Sequence, residues 1–435
     1  MLKVVPARAA DAFQPRARAG RALNVLHVAT VNKPIASTNG YGPIEAVIQN
    51  LDSGLLSLGH RSIVACSADS RVAGEHYPTL PASLGDYCRD RSDEVEGAVN
   101  QHLRLALGRA RQPDIDIVHM HQWFERVYDA SFNPTAPIVM TLHVPGAASG
   151  IAEFHSAKAG GSSASRPLPV LHAVAISRFQ ERQYDRLMPV ARVIPHGIDV
   201  SEFSFGASPS VPEYLFSIGR LTSDKGQDTA IEVARQSGKT LVIAGCVQNK
   251  DADRAFFKEL SASFELQTDL GHEPVTPDYY NRVMKPILSS GRAVIYVGEL
   301  GAGAAKQWYR HAAATLFPIR WGEPFGMVLI ESMASGTPIV AFGEGSVPEI
   351  VKHGETGFVV DSIEEMVRAV GRLDEISRAA CRSHVEEHFS TSRMAAAYTG
   401  LYGRLDDDAR RKPAGTGRRL SRASQGTMSP PTRRY

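Results

Sequence analysis

Residues 314–342 read A-T-L-F-P-I-R-W-G-E-P-F-G-M-V-L-I-E-S-M-A-S-G-T-P-I-V-A-F. Ala314–Arg320 is an apolar run that reads as a buried strand, and Ile339–Phe342 reads as the next one. Between them lie two carboxylates, Glu323 and Glu331, with apolar residues separating them. Pro324 and Gly326 fit poorly inside a helix and well at its start. This predicts Glu323 in a loop above a helix N-terminus and Glu331 two turns down the helix side, with Ala334–Pro338 closing the helix. The N–H groups of Phe325, Gly326 and Met327 are then free to donate to a ligand. A carboxylate beside such donors suits a polyhydroxylated molecule, because each hydroxyl both donates and accepts. Strand, loop, helix, strand is also the setting in which α/β proteins place ligands. Taken alone, the segment is equally compatible with an ordinary amphipathic helix carrying a chance pair of glutamates.

The alternation extends over the whole chain. In the first half, strands are predicted at Leu23–Thr30, Arg61–Ser67, Ile115–His121, Pro137–His143, Val170–Ser177 and Ala191–Pro195. Their continuous Val/Ile/Leu content suits parallel strands buried on both faces. A helix is predicted over Ile44–Leu58, closed by Gly59. In the second half the strands are Tyr214–Leu221, Thr240–Gly245, Ala293–Gly298, Ala314–Ile319, Ile339–Phe342 and Gly357–Val360. Helices are predicted at Gln227–Arg235, Ala304–His311, Phe325–Ala334 and Ile363–Arg372. Two βα arrays in succession predict an α/β protein of two Rossmann-like, doubly wound domains, 23–205 and 206–388, joined through the Ser/Gly/Pro-rich Val200–Pro212. A helix over 389–404 is expected to pack back on the first domain. Ala147–Pro169 reads as a surface loop, and Gln248–Ser290 as an insertion that adds helices.

Composition limits the function classes. The 435 residues are 43% apolar and 22% charged, with a formal charge of +2, which gives no overall signature of nucleic-acid binding. Cys66, Cys88, Cys246 and Cys381 form no C-x-x-C pair, which suits a reducing compartment. Residues 1–22 read as a disordered leader without a signal-peptide core, and no stretch reaches the roughly 20 apolar residues of a membrane span. A cytoplasmic protein is expected. The tail 405–435 is rich in arginine and reads as disordered; such a tail can contact the anionic inner face of a membrane.

One more segment carries chemistry. I-G-R-L-T-S-D-K-G-Q-D, residues 218–228, places Arg220 and Lys225 beside the start of a helix, an arrangement suited to a phosphate or diphosphate. Two solvated surface cations would look the same in sequence.

Taken together, Y-G-P-I-E, V-I-P-H-G-I-D, I-G-R-L-x-x-x-K-G, V-I-A-G, V-G-E-L, P-I-R-W-G-E-P-F-G-M-V-L-I-E, V-P-E-I-V and G-E-T-G-F-V-V resemble the family 4, or group 1, retaining glycosyltransferases. The resemblance covers about residues 24–403 and is more specific in the second half. It implies a GT-B fold, with two Rossmann-like domains facing across a cleft. It also implies transfer of a sugar, with retention, from a nucleotide diphosphate donor. UDP-hexose is the commonest donor in the family, and no metal or other cofactor is expected. The acceptor would be a sugar, a lipid-linked molecule or another small molecule. Carried over by motif, Arg220 and Lys225 would hold the diphosphate and Glu331 the ribose. Glu323, Pro324, Phe325, Gly326 and Met327 would surround the transferred sugar, and Gly298, Glu299 and Leu300 would border the nucleobase. In the first domain, Gly42 would approach the phosphates and His143 would lie near sugar and acceptor.

Several readings stay open. His143 also suits a buried strand-end histidine. His119 and His121 alternate in a strand and read as structural, since two imidazoles do not complete a metal site. Glu45 reads as serving the helix start. Gly40-Tyr41-Gly42-Pro43 lacks the adjacent glycines common in the family, and Gly343–Val347 also departs from its pattern. A nucleotide-sugar epimerase and a non-catalytic nucleotide-sugar binder are the alternatives to transfer.

Overall fold

The computed structural model describes residues 21–36, 42–85, 93–122, 136–145, 171–185 and 187–411. The leader 1–20, the loop 147–169 and the tail beyond Arg411 lie outside the described residues.

Two seven-stranded, wholly parallel sheets follow one another. The first contains β1 (Asn24–Val28), β2 (Arg61–Ser67), β3 (Glu75–Leu80), β4 (Ile117–Met120), β5 (Ile138–Thr141), β6 (Leu171–Ala175) and β7 (Val190–Val193), in the order 3-2-1-4-5-6-7. The second contains β8 (Tyr214–Ile218), β9 (Thr240–Ala244), β10 (Leu266–Gln267), β11 (Val294–Tyr296), β12 (Ala314–Phe317), β13 (Ile339–Phe342) and β14 (Gly357–Val360), in the order 10-11-9-8-12-13-14. Strand order reverses direction between β1 and β4 and between β8 and β12. Each reversal opens a crevice at the carboxyl edge, where open α/β sheets bind ligands.

Burial on both faces explains the continuous apolar runs. In β1, Leu26 and Val28 enter one core cluster and Val25 another. In β8, Leu215 packs on one side and Tyr214 and Phe216 on the other. Two strands escaped the sequence reading. β3 carries Pro78 and exposes Glu75 and Pro78, as suits an edge strand, where a proline costs no ladder hydrogen bond. β10 is only two residues long. The 248–290 insertion contributes the helices Asp251–Ser261 and Lys285–Leu288.

The chain leaves the first sheet near Ile198 and returns near Ser390. The Ile198 N–H donates to the Phe389 carbonyl at 2.9 Å, and the Thr391 N–H donates to the Ile198 carbonyl at 2.9 Å. The last helix, Thr391–Arg411, buries Met394, Tyr398, Leu401 and Tyr402 with Val25, Val47 and Leu51 of the first domain. The sequence predicts its end at residue 404. It continues to Arg411 because Leu405 and Asp406 are buried and Arg410 pairs with Asp406 at 2.9 Å and with Asp116 at 3.3 Å. Arg21, assigned to the leader, is also held by Asp116 and Asp406. Among the described residues no helix is long and apolar enough to cross a membrane.

Candidate active site

The carboxyl edges of the two sheets face one another across a cleft containing a cavity of about 530 Å³. Gly42, Pro43 and Glu45 line it from the first domain, and Glu299, Leu300, Met327 and Glu331 from the second. Lys33 of the first domain reaches Glu299 of the second at 4.0 Å, so charges meet across the opening.

The loop after β12 is built as its sequence suggests, with one shift. The helix is Met327–Ala334 and begins after Gly326, not at Phe325, because Gly326 takes the left-handed φ of 82°. The N–H groups of Phe325 and Gly326 donate to no protein group among the described residues. The segment 343–347, which departs from the family pattern, supports this loop from beneath. Ser346 donates its N–H to the Glu323 carbonyl at 3.0 Å and its hydroxyl to the Phe325 carbonyl at 2.9 Å. Gly345, with φ 64°, passes so close that a Cβ there would stand 2.4 Å from Glu323 backbone atoms.

Glu323 and Lys225 form one unit. Lys225 Nζ lies 2.5 Å from Glu323 Oε2, both side chains are largely buried, and the ammonium also sits 4.9 Å from the Trp321 ring. Arg220, at the end of β8, donates from Nη1 to Gln248 Oε1 at 2.9 Å, while its Nε is buried without a hydrogen-bond partner. Among the described residues it is the one guanidinium nitrogen in that condition, and a donor of this kind can meet an anionic oxygen. Arg220, Lys225, Glu323 and Phe325 do not line the cavity itself; Glu331, Met327, Gly42, Glu299 and Leu300 do.

Glu331 is half-buried at the cavity wall, with Tyr309 Oη donating to Oε2 at 3.0 Å. Burial raises its pKa, and the Tyr309 hydrogen bond and Lys306 partly offset the rise. Tyr309 and Gln248 were not identified from sequence. Tyr309 lies in a helical stretch with nothing to distinguish it from core, and Gln248 lies in an insertion without a motif. Glu45 stands in the first turn of its helix, Pro43–Ser57, accepts from Thr30 Oγ1 at 2.5 Å and lines the cavity.

His143 follows β5 and joins a row of imidazoles. His143 Nε2 lies 3.1 Å from His121 Nδ1, and His121 Nε2 lies 3.2 Å from His27 Nδ1. On its other side the His143 ring stacks on His196 at 5.3 Å, and His196 meets the edge of Phe325 at 5.0 Å. The sequence counts two imidazoles here; β1 adds His27 in register with His119. The candidate ligand nitrogens of His27, His119 and His121 lie within 4.8 Å of one another. Both His121 nitrogens are hydrogen-bonded in the row, however, and both His119 nitrogens are held, by Thr141 and Tyr402, each at 2.7 Å. The cluster is satisfied by itself, apart from His27 Nε2.

With this geometry established, comparison with known proteins places the chain. Residues 212–375 match the model for glycosyl transferases group 1, and residues 44–202 match that for Glycosyltransferase Family 4. The chain belongs to the group 1, family 4 glycosyltransferases, and its fold is GT-B. It is 26% identical to D-inositol 3-phosphate glycosyltransferase of Acidothermus cellulolyticus over 53% of this chain and 51% of that protein. It is 27% identical to glycogen synthase of Mycobacterium tuberculosis over 69% of this chain and 72% of that protein. The chain spans about half the length, or less, of the first curated relatives it matches. Anabaena Alr3699/HepE, solved in complex with UDP-glucose, superposes with a TM-score of 0.58 at 17% identity, covering 87% of this chain and 99% of that one.

Proposed function

We propose that this glycosyltransferase moves a hexose from a UDP-hexose onto an acceptor hydroxyl with retention of anomeric configuration and without a divalent metal. The observation that carries this reading is the unpartnered, buried Nε of Arg220, in the motif that also supplies Lys225. A leaving diphosphate gains negative charge, and fixed cations with N–H donors stabilise that charge without a metal. The half-buried Glu331, held by Tyr309 at the cavity wall, suits the two hydroxyls of a ribose, each of which can donate to the carboxylate. Glu323, held by Lys225, would lie beside the sugar, where positive charge develops as the bond to phosphate breaks. No carboxylate is assigned as an attacking nucleophile; we favour attack on the leaving-group face, with the departing phosphate taking the acceptor proton. The similarity to a UDP-glucose complex supports the donor class. A cytoplasmic location with a peripheral membrane contact through the tail completes the proposal.

The test is incubation of the protein with labelled UDP-hexose and candidate acceptors in EDTA. Labelled product, or slow donor hydrolysis, agrees with the reading. Epimerised donor, or binding without turnover, would replace it by one of the alternatives. NMR of the first-formed product reads the anomer, and inversion would overturn retention.

A further inference from the structure

The imidazole row ends blindly. His27 Nε2 is buried without a partner, while His143 is half-buried and its Nδ1 has no protein partner among the described residues. Desolvation by burial lowers the pKa of His27 to about 4, that of His143 to about 3 and that of His121 well below the ordinary value, so all three rings are neutral at pH 7. A neutral imidazole carries one proton, and each of the two N···N contacts needs one donor and one acceptor. If His27 donates from Nδ1, His121 must accept at Nε2, donate from Nδ1 to His143 Nε2 and so leave the proton of His143 on Nδ1. The reverse order places all three protons on Nε2. No mixed arrangement keeps both hydrogen bonds. Asp52, the charged group that acts on His27, makes no hydrogen bond to it. Asp52 Oδ1, like His27 Nε2, is buried without a partner, so among the described residues no hydrogen bond links the inner end to a group that could pass a proton.

We propose that His121 and His27 are positioning residues that lock His143 in one tautomer, so that His143 presents a fixed hydrogen-bonding atom to the substrates and does not shuttle protons. The functional part rests on the transfer reading above; the tautomer itself does not. Switching His143 between donor and acceptor requires all three rings to switch together, with a proton exchanged at the closed His27 end. A row with an exit to solvent would conduct; this one holds.

The experiment is long-range proton–nitrogen NMR of the full chain labelled with nitrogen-15 histidine. The expected spectrum shows His27, His121 and His143 as neutral rings with their protons on the same type of nitrogen. A proton on Nδ1 of one ring and on Nε2 of another overturns the lock, whether or not the protein transfers sugar. In His121→Phe, His143 should populate both tautomers and kcat/KM should fall about tenfold, the effect of losing one oriented hydrogen bond. His121→Gln restores a partner for His143 Nε2 and should recover most of that loss. A single unchanged His143 tautomer in a folded His121→Phe protein would also overturn the proposal.

Discussion

Replacing Lys225 with Met removes the ammonium that lies 4.9 Å from the Trp321 ring and 5.9 Å from that of Phe317, and keeps an apolar side chain of similar length. At the observed 2.5 Å from Glu323, the gross attraction is about 7 kcal/mol at an effective dielectric of 20. Desolvation of both ions and ordering of both side chains oppose most of it. Removal of one partner still leaves a largely buried carboxylate without a cation, which costs about 1–3 kcal/mol of stability here, since neither side chain is fully buried. The double variant Lys225→Met/Glu323→Gln should recover most of that loss, because the uncompensated charge is gone. Activity should not follow stability. If Lys225 stabilises the leaving diphosphate, the single variant loses about 2–4 kcal/mol of transition-state stabilisation, and the double variant loses at least as much, since Glu323 faces the charge developing on the sugar. Urea unfolding followed by tryptophan fluorescence, with kcat/KM measured on the same preparations, separates the two effects. A single variant of unchanged stability, or a double variant that regains turnover, would refute the reasoning.

Glu331→Gln keeps the acceptor for Tyr309 and removes a carboxylate whose charge burial disfavours. The fold should be no less stable, and the donor KM should rise more than kcat falls, as steady-state kinetics with varied donor will read. Truncation after Arg404 removes the buried Leu405 and Asp406 and should cost about 2–3 kcal/mol, whereas truncation after Arg411 should leave the melting curve unchanged. Acid should destabilise the protein early. His27 and His102 are pushed down to about 4, and His119, His121, His143 and His196 are lowered too, all by burial. With folded pKa values below the unfolded ones, their contribution is complete above about pH 6.5 and is lost as pH falls toward 4. Each ring adds at most about 1.4 kcal/mol per pH unit. A urea midpoint constant between pH 6.5 and 4 would contradict this.

The sequence and the structure agree most closely where physics is local. Gly326 and Pro324 mark the helix start because of their backbone limits, and the end strands Ile339–Phe342 and Gly357–Val360 are found at their predicted limits. Alternation of apolar runs was enough for two doubly wound sheets. What the sequence could not display were meetings between distant residues: Lys225 with Glu323, Tyr309 with Glu331, and His27 with His121. His196 stood within a quoted motif, V-I-P-H-G-I-D, but only the folded crossing places its ring between His143 and Phe325. The last helix runs past its sequence-predicted end for a related reason. Leu405 is one apolar residue before a charged run, and its burial depends on a first-domain surface contributed by residues far earlier in the chain.

The most direct test of the central claim is calorimetric titration of UDP-glucose into the full chain in EDTA, beside the same titration of Arg220→Ala. Saturable binding by the natural protein is predicted, weakened about 10- to 100-fold in the variant, as for loss of a charge-assisted hydrogen bond to a diphosphate. Equal affinity in the two proteins, or binding by the natural protein only after a divalent metal is added, would contradict the account.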